Sequence, residues 1–165
     1  MMVSSPEMLT TASTWFFEGM FFKHPGNLAV RLAEGIVSDQ TEAVDVDGTE
    51  LGPYRPVLLT HRSRVVEIVF DHVWRYEVTR EGRERAPEGR RLGVSDFLYE
   101  LPDDEFDQLF DTPMMQADRE SFGVRRWFLW TEDFALYVAG RSEPTVCLTR
   151  DAPDLSVERG ATYFA

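Results

Sequence analysis

The most regular hydrophobic pattern in this chain is that of a β-strand. It runs from Ser63 through Val65, Val66, Glu67, Ile68, Val69 and Phe70, pauses at Asp71 and His72, and resumes from Val73 to Thr79. At about 3.3 Å per residue a single strand of that length would be unusually long, so Asp71 and His72 mark a turn or bulge between two strands. The aromatic run Trp15 to Phe22 suits a buried strand, and a strand is expected over Thr14–Lys23. His24, Pro25, Gly26 and Asn27 then form a turn, because proline presets one dihedral and glycine or asparagine tolerates positive φ. Leu28 to Val37 returns as a second strand. Val44, Asp45, Val46, Asp47, Gly48 and Thr49 place Asp-Gly between alternating residues, which is the type I′ hairpin signal. Trp127–Thr131 and Phe134–Ala139 flank Glu132 and Asp133 as a further hairpin, and Thr145–Thr149 follows as a strand.

Helix signals are few and short. Ser5, Pro6 and Glu7 supply a cap, a first-turn proline and an acidic first turn. Leu101, Pro102, Asp103, Asp104 and Glu105 resemble an acidic helix start, with Phe106, Leu109 and Phe110 as an apolar stripe. Thr112 and Pro113 repeat the cap and proline, and Gly123 is placed to end that turn in the left-handed conformation. The expected fold class is α+β: an antiparallel sheet of about six to eight strands, forming a strongly curved sheet or partly open barrel. Two or three short helices accompany it, mostly around residues 100–122.

Composition keeps the chain within one domain. Its 165 residues are 43% hydrophobic, 13% aromatic and 28% charged, which fits a single globular unit over residues 1–165. Residues 80–91 are almost entirely Arg, Glu, Gly and Pro, with five arginines and three glutamates, and read as a flexible loop. Neither side of this loop is large enough to make a comfortable domain of its own.

Charge narrows the partners. The formal net charge is -12, and the field of such a surface repels phosphate backbones and anionic lipid headgroups while favouring encounter with a basic protein. No nucleic-acid or membrane partner is expected. No stretch approaches the ~20 apolar residues of a spanning helix. Met1 to Ser13 lack the basic start and apolar stretch of a signal peptide. With the single Cys147 giving no intramolecular disulfide, the cytoplasm is the expected compartment.

Candidate chemistry is sparse. Asp45, Asp47, Gly48 and Glu50 suggest calcium, but aligning Gly48 with the invariant glycine of an EF-hand loop puts Ala43 at the first ligand position and Tyr54 at the twelfth. A hairpin turn accounts for the same residues. His24, His61 and His72 contain neither an i, i+4 pair nor a His-x-His pair, so they read as loop or turn residues and no metal or cofactor is expected. Cys147 lies in an apolar strand, away from the electropositive surroundings of a reactive thiolate. Nucleophile-elbow, phosphate-loop and dinucleotide signatures are absent.

Two functions remain. The preferred one is a non-enzymatic acidic interaction protein that regulates or neutralises a basic protein partner, bound through Asp103, Asp104, Glu105, Asp107 and Asp111 around one short helix. The alternative is a small-molecule-binding β domain, with or without catalysis. Its aromatic-lined pocket would be built from Trp74, Tyr76, Trp127 and Trp130, with His61, Glu67 and His72 as the polar groups.

Overall fold

The structure, a computed structural model, describes residues 6–80, 89–91, 96–102 and 113–149. It is mostly antiparallel β. A 3-10 helix, Pro6–Thr11, leads into β1 (Trp15–His24) and β2 (Asn27–Glu34). Short β3 (Ile36–Val37), β4 (Glu42–Val46), β5 (Thr49–Tyr54) and β6 (Val57–Leu58) precede β7 (Val65–Phe70) and β8 (Arg75–Arg80). Beyond these lie β9 (Arg90–Arg91), β10 (Leu98–Leu101), α1 (Pro113–Phe122), β11 (Arg125–Trp130), β12 (Phe134–Gly140) and β13 (Thr145–Thr149).

The strands divide between two main sheets that are not closed into a barrel. One has the order β1-β2-β7-β13 and the other β8-β12-β11-β10-β9. Strict alternation sends Leu28, Val30 and Leu32 of β2, Val66, Ile68 and Phe70 of β7, and Val146 of β13 to one face of the first sheet. They share a core with Leu98, Trp127, Leu129, Leu136 and Val138 of the second sheet. The division originates at Asp71 and His72. Here the chain leaves the first sheet as β7 and enters the second as β8, and His72 takes a φ of 48° to make the corner. The pause in the hydrophobic pattern is thus a passage between sheets, which is why one curved sheet does not form.

Among the described residues there is one α-helix besides the 3-10 helix, fewer than the two or three helices expected. Gly123 ends α1 with a φ of 71°, the left-handed stop read from the sequence. The expected helix beginning at Leu101 is not seen at its start, since Leu101 closes β10; its remaining positions from Asp103 lie outside the described residues. Of the segment 80–91, Arg80 ends β8 and Arg90–Arg91 pair with β10, while 81–88 lie outside the described residues. No helix among the described residues is long and apolar enough to cross a membrane.

One end of the core is tied by Arg64. Its guanidinium spans both oxygens of Glu34 at 2.6 Å each and donates to the Thr11 hydroxyl and carbonyl at 2.8 and 2.9 Å, so it fastens the 3-10 helix to the start of β7. The Arg64 hydrogen bond holds the Glu34 carboxyl below its ordinary value of 4.5. A carboxyl depressed on folding contributes stability above its unfolded value and loses it as pH falls through the folded one. Glu34→Gln is therefore expected to reduce stability at neutral pH and to flatten its decline below about pH 4.5, as measured by denaturant unfolding at a series of pH values.

Candidate functional site

Between β2 and β7, which are neighbours in the first sheet, the chain makes an excursion that joins neither main sheet. Its stem is the β3–β6 ladder, with Ile36 opposite Leu58 and Val37 opposite Val57. Beyond the stem, the Ser38 N–H donates to the Pro56 carbonyl at 2.8 Å, and the Arg55 guanidinium donates to the Ser38 carbonyl at 2.9 Å and to Asp39 at 3.2 Å. The excursion ends in the β4–β5 hairpin, a two-stranded sheet of its own. We call this hairpin the arm. With five and six residues, its strands reach about 17–20 Å.

The arm leaves the body at Gly35, where no side chain fits. A Cβ there would stand 2.2 Å from Thr14 Cγ2 and 2.6 Å from both Phe16 Cε2 and Val57 Cγ1. Gly35→Ala is expected to destabilise the fold by about 1–3 kcal/mol through overpacking, read as a shift in denaturant midpoint without a change in slope.

The turn of the arm follows its sequence. Asp47 and Gly48 have φ of 51° and 81°, the type I′ geometry, and Asp45 Oδ1 accepts the Gly48 N–H at 2.9 Å. Val46 pairs with Thr49, Asp45 with Glu50, Val44 with Leu51 and Glu42 with Tyr54. Residues directly opposite share a face, so the arm is two-sided. Val44, Val46, Leu51 and Tyr54 lie on one side together with Glu42 and Thr49; Asp45 and Glu50 face each other on the other.

Every residue from Asp39 to Arg55 is exposed except half-buried Val44. From Asp39 to Tyr54 there are five carboxylates and no basic residue. A facing pair of like charges destabilises a hairpin, and an isolated two-stranded hairpin is marginal in water. The arm therefore carries both an uncovered apolar side and an unrelieved repulsion. Glu50→Lys would turn that repulsion into attraction. We expect it to slow hydrogen exchange at the Val46 and Thr49 amides by a few-fold.

The other residues singled out in the sequence are dispersed. Trp127 is completely buried in the shared core. Trp130 stacks on Phe97 at 6.1 Å between centroids, and Tyr76 meets Phe22 at 5.9 Å with both rings exposed. Half-buried Trp74 precedes β8, its N–H donating to the Ala139 carbonyl at 2.9 Å. His61 stands in the turn before β7 and His72 in the corner after it, at opposite ends of a six-residue strand. Tyr76 and Trp127 share a row through Val138, whereas Glu67 lies on the face of β7 turned away from the core that holds Trp127. His24, at the end of β1, is exposed. The carboxylates Asp103, Asp104, Glu105, Asp107 and Asp111 lie outside the described residues.

Sequence reasoning missed the pairing of Glu67. Glu67 is buried on the face of β7 opposite Val66 and Ile68, where it pairs with Lys23 and with Arg31 at 3.3 Å. The chain's single lysine thus neutralises a carboxylate within the sheet. Replacing both Lys23 and Arg31 by methionine leaves that charge without these partners. It should cost about 1–3 kcal/mol in thermal or denaturant unfolding, below the full buried-pair value because both cations are over one-third exposed.

At the β7–β8 corner, Asp71 Oδ1 contacts His72 Nδ1 at 2.9 Å, and the Ser142 hydroxyl donates to Asp71 Oδ2 at 3.3 Å. The His72 hydrogen bond lowers the Asp71 carboxyl from its ordinary value. Both side chains of this pair are exposed, and they lie at the corner where the chain passes between sheets. No group of three or more His, Cys, Asp or Glu among the described residues could hold a metal ion. No protein-family model, curated protein or solved structure matches the chain.

Proposed function

We propose that this protein is a non-enzymatic interaction protein that binds, and thereby regulates or neutralises, a basic protein partner. The reading is carried by the arm, which has four carboxylates and no basic residue from Glu42 to Tyr54 and joins neither main sheet. An element with no role in the core is free to be shaped by a partner. The net charge of -12 speeds encounter with a cationic surface, and the arm adds apolar area that can be buried once contact is made. Asp103, Asp104, Glu105, Asp107 and Asp111 provide a second acidic segment for the same partner.

The test is affinity capture from lysate of the source organism at low and high salt. Three forms are compared: wild type, an arm variant (Asp45→Ser, Asp47→Ser, Glu50→Ser), and a second variant (Asp103→Ser, Asp104→Ser, Glu105→Ser). The expected result is a basic protein retained by wild type at low salt, released at high salt, and reduced on the arm variant; screening of exposed charges dictates the salt effect. Capture of the same species at equal yield by all three forms would overturn the reading.

A further inference from the structure

Resting on the reading above, we infer that the partner binds by adding a strand to the free edge of β4, as an extended segment in which basic and apolar residues alternate. In a two-residue hairpin the closing pair, here Val46 and Thr49, exchanges its backbone hydrogen bonds, and the next pair, Asp45 and Glu50, does not. The backbone groups of Asp45 therefore point outward from the β4 edge, and alternation adds those of Ala43. The opposite edge is interrupted: β5 carries the register shift between Leu51 and Tyr54, and Pro53 has no N–H to offer. β4 is the regular edge, with no strand paired to its outer side among the described residues.

The two faces of the arm define what such a strand would carry. On one side, its apolar residues would meet Val44 and Val46. On the other, its basic residues would meet Asp45 and, across it, Glu50, relieving the repulsion between that facing pair. A third strand is also what an isolated hairpin needs for stability of its own. A second copy of this chain fits poorly, because pairing two arms would bring four carboxylates, Glu42, Asp45, Asp47 and Glu50, against four more with no basic residue from Glu42 to Tyr54 on either side.

The experiment uses the full chain and a ten-residue probe peptide alternating arginine with valine. A control peptide of equal charge alternates arginine with serine. The account predicts that the arginine–valine peptide binds more tightly than the control and slows amide exchange at Ala43 and Asp45. Ala43→Pro removes an outward N–H while leaving every charge and the apolar side in place. It should weaken binding by about tenfold with an unchanged melting temperature, since the arm lies outside the core.

Equal binding by Ala43→Pro and wild type, protection confined to other strands, or failure of the peptide to bind would overturn strand addition. Each of these leaves the basic-partner reading to be decided by the lysate capture. If the peptide also binds the Asp45→Ser, Asp47→Ser, Glu50→Ser variant as tightly as wild type, the acidic arm is not its contact and strand addition falls, while the basic-partner reading is still decided by the lysate capture.

Discussion

Replacing Trp127 by alanine should lower stability by about 3–5 kcal/mol and the melting temperature by roughly 6–20 °C. Trp127 is fully buried on the inner face of β11, in the row that holds Val138 of β12 and Glu100 of β10. Its indole meets residues of both sheets in one core, and the Arg125 guanidinium lies 4.7 Å from the ring centroid. Deleting a side chain of this size costs its burial and leaves a cavity that two stiff sheets cannot close. The comparison is Tyr76→Ala, whose ring is exposed and whose loss should cost no more than about 1 kcal/mol. A loss below about 1 kcal/mol for Trp127→Ala would mean that the indole lines a cavity, as the small-molecule reading requires.

Removing the arm should have the opposite signature: a large loss of binding with little loss of stability. Because the Ser38 N–H already reaches the Pro56 carbonyl at 2.8 Å, residues 39–55 can be replaced by Asn-Gly to close the stem as a short hairpin. The arm adds nothing to the shared core, so the melting temperature should stay within about 2–4 °C of wild type. Affinity for a basic partner should fall at least about 100-fold, because several charges and the arm's apolar contact are lost together. A drop in stability of several kcal/mol would instead make the arm a structural element.

Much of the fold was legible because turn chemistry is local. Pro25–Gly26, Asp47–Gly48 and Glu132–Asp133 each reverse the chain between strands, and Thr145–Thr149 forms the strand read there. Asp71–His72 was legible as a break but not as a passage between sheets. Alternation tells which side of a strand is apolar, not which sheet its partner belongs to. The β3–β6 stem was hidden for another reason: two residues on each side carry no period, and the need for glycine at position 35 arises from Thr14 and Val57, which are distant in sequence.

The candidate site was half legible. Asp45, Asp47 and Glu50 were weighed as calcium ligands and assigned to a hairpin, which is where they lie. Val44, Val46 and Leu51 look in sequence like any half-buried strand, and only the topology reveals that they belong to neither main sheet, with Val46 and Leu51 left exposed. The pairing of Glu67 with Lys23 and Arg31 depends on register between three strands, which no local pattern encodes.

The most direct test of the central claim is a binding titration of the captured basic protein, purified, against wild type and the form lacking residues 39–55, at matched low salt. The account predicts an affinity at least about 100-fold weaker for the armless chain, with its melting temperature near that of wild type. Equal affinity for the two forms would contradict it, and would move the contact elsewhere on the protein.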